Sequence, residues 1–214
     1  MNITFLNTYA DLGEAFAQPL QATCPSHPQL RCVNDDLASF LGLDVSSLSS
    51  QDLAELFSGK RIHSSSRPVA MAYAGHQFGH FVPQLGDGRA MLLGEVEAGD
   101  QLRYDLHLKG SGKTRFSRGG DGYATLGSVV REYLISEAMH ALGVPSSRAL
   151  AIIETGDLVY REKAFPGAVL ARVASSHIRV GTFEYFYARQ DQKNLKILAD
   201  YVITRYYPDL LDHK

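Results

Sequence analysis

One run constrains this chain more than any other: Gln101 to Lys109, QLRYDLHLK, alternates strictly between polar and apolar residues. Side chains of a β-strand point to opposite faces in turn. Leu102, Tyr104, Leu106 and Leu108 therefore share one face, and Arg103, Asp105, His107 and Lys109 the other. A period of two held this long predicts a half-buried strand. Lys109 then ends the strand on the face away from the core. Upstream, Arg89 to Ala98 (RAMLLGEVEA) reads as its partner strand, joined through a tight turn at Gly99-Asp100.

The rest is read outward from that hairpin. A loop rich in glycine and arginine, GSGKTRFSRGGDG, runs from Gly110 to Gly122. A helix is predicted from Thr125 to Ala141, because Leu126, Val130, Tyr133, Leu134, Ala138 and Leu142 recur at helical spacing. Thr125 can cap its start, while Gly143 and Pro145 stop it. Strands follow at Arg148–Glu154 and Leu158–Glu162, turning at Thr155-Gly156-Asp157, with a third over 168–173. Leu195, Leu198, Tyr201, Val202 and Tyr206 form a last helical stripe ended by Pro208. Residues 1–65 read as short helices and loops, one capped by Asn34 and stopped at Gly42, another over Asp52–Phe57, with Ser64 to Pro68 as a linker. The order predicts an α+β fold: an antiparallel sheet with one helix packed beside it.

Bulk properties narrow the function classes. Hydrophobic residues make up 45% and charged residues 21% of 214, an ordinary globular composition. A net charge of -2 and a pI near 6.4 argue against a general nucleic-acid binder. The first residues lack the basic and apolar regions of a secretory signal. No run approaches the roughly 18 apolar residues of a membrane span. Cys24 and Cys32 suit neither a metal knuckle nor a disulfide framework. Together these predict a soluble protein of a reducing compartment.

Several motifs carry possible chemistry. Gly110-Ser-Gly-Lys-Thr114 invites a P-loop reading, but the pattern needs a glycine where the chain has His107, and a P-loop must run straight into a helix. His76 and His80 stand at the spacing of a helical zinc site, yet Gln77 replaces the catalytic glutamate and Gly79 weakens a helix, so a structural role is favoured. Leu85-Gly-Asp-Gly-Arg89 fits a simple turn and equally a loop whose glycines admit a phosphate beside Arg89. Lys109 with Glu132 resembles the kinase pair that orients a lysine on phosphates, the alternative being a surface salt bridge. Arg172 and Arg179 bracket a short loop, and converging with Lys109 they would form a polyphosphate pocket.

Six segments together resemble the selenoprotein O-type protein adenylyltransferases: YAGHQFG (Tyr73 to Gly79), PQLGDGRA (Pro83 to Ala90), LKGSG (Leu108 to Gly112), SRGGDG (Ser117 to Gly122), REYLISEAMHALGVP (Arg131 to Pro145) and ARVASSHIRVGTFEYF (Ala171 to Phe186). The likeness spans most of residues 70–206. It implies a protein-kinase-like amino-terminal lobe over 66–190 with a packed αC-type helix. A helical and loop extension over 1–65 precedes it, and the start of a helical second lobe over 191–214 follows. It further implies transfer of AMP from ATP, with Mg or Mn, to Ser, Thr or Tyr hydroxyls of proteins in a bacterial cytoplasm, with no nucleic-acid or membrane partner. By motif match, Lys109 is the phosphate-binding strand lysine, oriented by Glu132, and Arg172 and Arg179 hold the γ-phosphate end. Gly86, Gly88 and Arg89 form one nucleotide-contacting loop, and Asp121 and Gly122 a second contact. The family's catalytic base and metal ligands lie in its second lobe and find no counterpart before Lys214. Asp209 and Asp212 follow the Pro208 break without the right context, so this stretch alone is expected to be inactive. Arg115, where relatives commonly carry proline, and Tyr123 to Gly127 depart from the family pattern. A kinase-type phosphotransferase and a non-catalytic nucleotide-binding module (a pseudokinase) are the competing readings.

Overall fold

The computed structural model describes residues 3–211. In chain order its elements are β1 (Ala17–Pro19), β2 (Gln29–Val33), α1 (Asp35–Phe40), α2 (Ser50–Ser58), β3 (Val69–Met71), β4 (Gly75–Gln77), β5 (His80–Val82), β6 (Ala90–Glu97), β7 (Arg103–Lys109), β8 (Ala124–Thr125), α3 (Leu126–Ala141), β9 (Arg148–Tyr160), β10 (Ala164–Ala174), α4 (Val180–Tyr187) and α5 (Gln192–Tyr206). This is the expected α+β class. The main sheet runs β1-β3-β6-β7-β10-β9-β2, with β8 added to β10, and its pairings are antiparallel. Among the described residues no helix is long and apolar enough to cross a membrane.

The alternating run forms β7 and pairs with β6 from Ala90↔Lys109 to Glu97↔Arg103, closed by the Gly99-Asp100 turn. A bulge between Leu92 and Gly94 resets the alternation of β6, so that Glu95 lies directly opposite Asp105. Helices start where their caps demand. Asn34 Oδ1 accepts from Leu37 N at 3.0 Å, Ser49 Oγ from Asp52 N at 3.1 Å, and Thr125 Oγ1 from Ser128 N at 3.4 Å.

Helices cover both faces of the sheet. On one, α1 and α2 bury Leu37, Leu41, Leu53 and Phe57 against Met91, Leu93, Leu106, Leu108 and Val169. On the other, α3 packs Leu126, Val129 and Tyr133 on Ala149, Ile152 and Leu170. Beside it, α4 and α5 pack Phe186 and Leu198 on Phe16, Met71 and Leu92.

Four sequence expectations need correction. The strand from Arg148 does not turn at Thr155-Gly156-Asp157. It continues to Tyr160: Thr155-Gly156-Asp157 form a bulge opposite Gly167, with Gly156 in the left-handed conformation (φ 81°), pairing resumes at Leu158, and the chain reverses at 161–163 instead. The α3 stripe has the right period but the wrong phase. Val130, Leu134 and Leu142 are exposed and Val129 is buried, since apolar residues occupy both sides of this helix and period alone cannot choose between them. Residues 1–65 hold strands β1 and β2 as well as helices, completing the two sheet edges. Ser64 to Pro68 is tied down rather than linker-like: Ser65 Oγ accepts from Phe5 N at 2.9 Å and Ser66 Oγ donates to the Leu93 carbonyl at 2.5 Å.

Candidate functional site

Lys109 closes β7 and Glu132 lies on α3, which crosses the sheet above it; their side chains form an ion pair. The register of β10 on β7 sets Arg172 beside His107, and Arg172 Nη1 reaches the other oxygen of Glu132 at 3.2 Å. Glu132 thus holds two cations, only one of which the sequence connected with it. Burial lowers the Lys109 pKa against the pull of Glu132. Burial acts to raise that of Glu132, but Lys109 and Arg172 outweigh it and hold the carboxylate ionised.

Two loops close over this pair. Gly86 has φ 62°, and a Cβ there would meet the Phe116 ring at 2.2 Å, so the space opened by this glycine is filled by the glycine-rich loop itself. Thr114 Oγ1 donates to the Asp87 carbonyl at 2.7 Å and Ser117 Oγ to the Gly88 carbonyl at 2.6 Å, pinning one loop on the other. Gly122 packs on the Gly112 backbone, where a Cβ would come within 2.1 Å. Asp121, beside it, pairs with Arg161 at 2.6 Å from the β9–β10 turn.

Between these elements lies a cavity of about 490 Å³ lined by Gly86, Gly88, Arg89, Lys109, Asp121, Gly122, Arg172 and Arg179. Of the residues that the family resemblance assigns to the nucleotide site, Glu132 alone stands outside the lining, holding Lys109 and Arg172 from behind. Arg179 caps the start of α4, and its guanidinium stacks 4.2 Å from the centre of the Tyr73 ring. Arg118 and Arg161 add two more cations to the wall. Sequence reasoning missed both. Arg118 lay in the recognised glycine-rich loop, whereas Arg161 fell in a segment read as strand.

The polar face of β7 is the main surprise. It is not turned to solvent: Asp105 is 1% and His107 0% exposed, with Asp87 (2%) and His177 (6%) against them. The covering elements, α4 and α5, lie more than seventy residues further along the chain. His107 Nε2 sits 3.0 Å from Asp87 Oδ2, and the His107 and His177 rings stack at 4.4 Å. The His177 amide donates to Asp105 at 2.7 Å, and Arg205 from α5 reaches Asp105 at 2.7 Å and Glu95 at 3.7 Å. Burial lowers the His107 pKa to about 3 despite Asp87. Burial would raise Asp87, yet its partners outweigh that, His107 first and then the guanidiniums of Arg179 and Arg172, and hold it at about 2.

Other candidates fall away. His76 and His80 lie on the β4–β5 hairpin, both exposed, and not on a helix. Among the described residues no group of three His, Cys, Asp or Glu could hold a metal ion. Asp209 is exposed on a short turn after α5, and Asp212 lies outside the described residues.

Comparison with known proteins agrees with the segments noted above. The family model described as "Protein adenylyltransferase SelO" matches residues 1–214. A protein named "Protein nucleotidyltransferase YdiU" from Nitrobacter hamburgensis is 59% identical over 207 residues, covering 97% of this chain and 41% of its own length. Proteins of the same name from Rhizobium rhizogenes and Sphingopyxis alaskensis are 58% and 54% identical, each covering 99% of this chain and 42% and 44% of their own lengths. The chain therefore spans less than half the length of these curated relatives. With the match running through every segment that builds the cavity, the chain belongs to the SelO family and corresponds to the amino-terminal part of its members.

Proposed function

We propose that the cavity grips the polyphosphate tail of ATP, and that this chain is the kinase-like, nucleotide-binding lobe of a protein adenylyltransferase. The reaction is transfer of AMP to Ser, Thr or Tyr hydroxyls of protein substrates. The observation that carries this reading is the convergence of Lys109, Arg172, Arg179 and Arg89 on one cavity from four separate segments. Like charges are not gathered this closely unless an anion or fixed carboxylates compensate them. Glu132 and Asp87 compensate part of that charge. Arg89 carries no protein ion pair among the described residues, and the cavity remains cationic.

Fixed cations around the triphosphate tail suit attack at the α-phosphate. Negative charge then develops on the departing pyrophosphate, where Lys109, Arg172 and Arg179 are already in place. A kinase must leave the γ-phosphate free to depart, which this wall of guanidiniums opposes. Mg or Mn belongs to the proposed chemistry, but the described residues do not fit it. The carboxylates lining the cavity, Asp87 and Asp121, are engaged by His107 and Arg161.

Calorimetry of this chain with ATP and with inorganic tripolyphosphate tests the grip. Both are expected to bind, and Lys109→Ala to weaken both by about tenfold or more, the equivalent of one charge-assisted contact. Equal binding by the variant sinks the site. In a protein of the relatives' full length, label should pass to protein from α-labelled ATP. Transfer from γ-labelled ATP alone would mark a phosphotransferase, and binding without either transfer a non-catalytic module.

A further inference from the structure

An arginine can only donate hydrogen bonds. Arg172 Nε lies 3.2 Å from His107 Nδ1, so that ring nitrogen must be the unprotonated one. The imidazole is buried away from solvent, and its other nitrogen, Nε2, faces Asp87 Oδ2 at 3.0 Å. A carboxylate accepts, so Nε2 carries the proton. The tautomer follows from the chain of contacts: carboxylate, then N–H, then an imidazole lone pair, then guanidinium. The stacked His177 ring at 4.4 Å blocks the imidazole from swinging, and the Met71 amide, 3.1 Å from Asp87 Oδ2, fixes the carboxylate.

We propose that Asp87 and His107 are positioning residues for Arg172: Asp87 sets the Nε2–H tautomer of His107, and the unprotonated Nδ1 aims the guanidinium into the cavity. The consequence for Arg172 is specific. Nε is held by His107 and Nη1 by Glu132 at 3.2 Å, so two of its three nitrogens are fixed by the protein. Among the described residues Nη2 has no protein hydrogen bond, and Arg172 lines the cavity, so this nitrogen is the one left for an anion. Asp87 turns its second oxygen toward Arg179, 3.9 Å away, so one buried carboxylate influences both arginines. The arrangement uses the logic by which a buried aspartate fixes a histidine tautomer in hydrolytic triads, with a guanidinium where the nucleophile would be. A Lys in place of Arg172 could not be held in this way, having one nitrogen where the arginine has three. The identity of the anion rests on the proposed function; the tautomer and the fixed guanidinium do not.

Nitrogen-15 NMR on the 214-residue chain reads the tautomer directly. At neutral pH, His107 should show a protonated Nε2 and a bare Nδ1, and the Arg172 Nε–H should exchange slowly with water. His107→Leu removes the acceptor. Arg172 Nε–H exchange should then speed up at least tenfold, and inorganic tripolyphosphate should bind roughly tenfold more weakly, the scale of one charge-assisted hydrogen bond. His107→Asn returns an acceptor oxygen near the place of Nδ1 and should restore most of both. Asp87→Asn, which can accept or donate at Nε2, should admit the second tautomer, and a ring that stays wholly Nε2-protonated there would show that Arg172 alone sets it and overturn the part given to Asp87. A proton on Nδ1 or on both nitrogens of the wild-type ring overturns the proposal, and so does slow Arg172 exchange that survives His107→Leu. If the leucine variant fails to fold, the wild-type tautomer and the asparagine variant still decide. If the tautomer and exchange behave as stated but wild-type chain ignores tripolyphosphate, the positioning stands and the nucleotide reading falls.

Discussion

At the centre of β7 the two faces are equally dry and chemically opposite. Leu106 and Leu108 on one face, and His107 on the other, are all 0% exposed, with Asp105 at 1%. The apolar face meets α1 and α2 and needs no explanation beyond area, since burying a leucine side chain contributes about 1.5–3 kcal/mol. The polar face sets Glu95 and Asp105 directly opposite each other, a like-charge pair that destabilises a sheet unless something answers it. Arg205 answers it from α5, its side chain only 4% exposed. Buried ion networks of this kind seldom add stability over well-packed apolar residues of the same volume. One face makes the fold; the other fixes where charges stand. The polar layer runs from the cavity, through Asp87 and His107, past the stacked His177, to Asp105 and α5.

The comparison breaks most sharply at Asp105. Asp105→Ala strands the Arg205 guanidinium and the His177 amide in a dry interior, and should cost about 3–5 kcal/mol by urea unfolding. A loss under 1 kcal/mol would mean that the layer is wetter than its burial indicates. On the opposite face, Leu106→Ala removes packing without touching a charge and should cost about 3 kcal/mol. Its folded fraction should bind tripolyphosphate as wild type does. Altered affinity there would show that the two faces are not separable.

Acid sharpens the same contrast. In the unfolded chain a histidine takes up its proton near pH 6.5, whereas folded His107 resists until about pH 3. Between those values the unfolded state binds more protons, so stability falls as pH falls, by up to about 1.4 kcal/mol per pH unit for one linked proton. Burial lowers the His177 pKa as well, which adds to the same slope. Asp87, held at about 2, stabilises above its unfolded value near 3.8 and loses that contribution as pH drops through about 2. Urea midpoints should therefore decline from about pH 6.5 downward in wild type and decline less in His107→Leu. A flat midpoint between pH 7 and 4.5 rules the linkage out.

Local grammar made half of this legible. The β6–β7 hairpin and the Thr125 cap of α3 follow from alternation and capping chemistry, and the Lys109–Glu132 pair was suggested by its likeness to the lysine–glutamate pair of kinases. What covers a polar face does not follow. Alternation shows that Asp105 and His107 share a side of the strand, but not that α4 and α5 will bury that side. The partners of Arg172 were hidden for the same reason, since the β10–β7 register that places it beside His107 joins segments 65 residues apart. Gly156 misled in the other direction. A glycine between Thr and Asp reads as a turn, and only the partner strand shows that it is a left-handed residue in a bulge, with pairing to β10 on either side of it.

The mildest effect is expected where electrostatics meet solvent. Arg161 and Asp121 form a 2.6 Å ion pair at the cavity mouth, but each side chain is 40% exposed. Such pairs contribute less than about 1 kcal/mol, because water solvates both charges and salt screens them. Arg161→Ala should leave the urea midpoint nearly unchanged while lowering tripolyphosphate affinity a few fold, an effect that fades at high salt. The same salt series should move the contribution of Arg172 less, because its side chain is 14% exposed and held by His107 and Glu132. If Arg161→Ala instead destabilises as much as Asp105→Ala, the β9–β10 turn is a strut rather than a rim, and burial is not what separates strong from weak charges in this molecule.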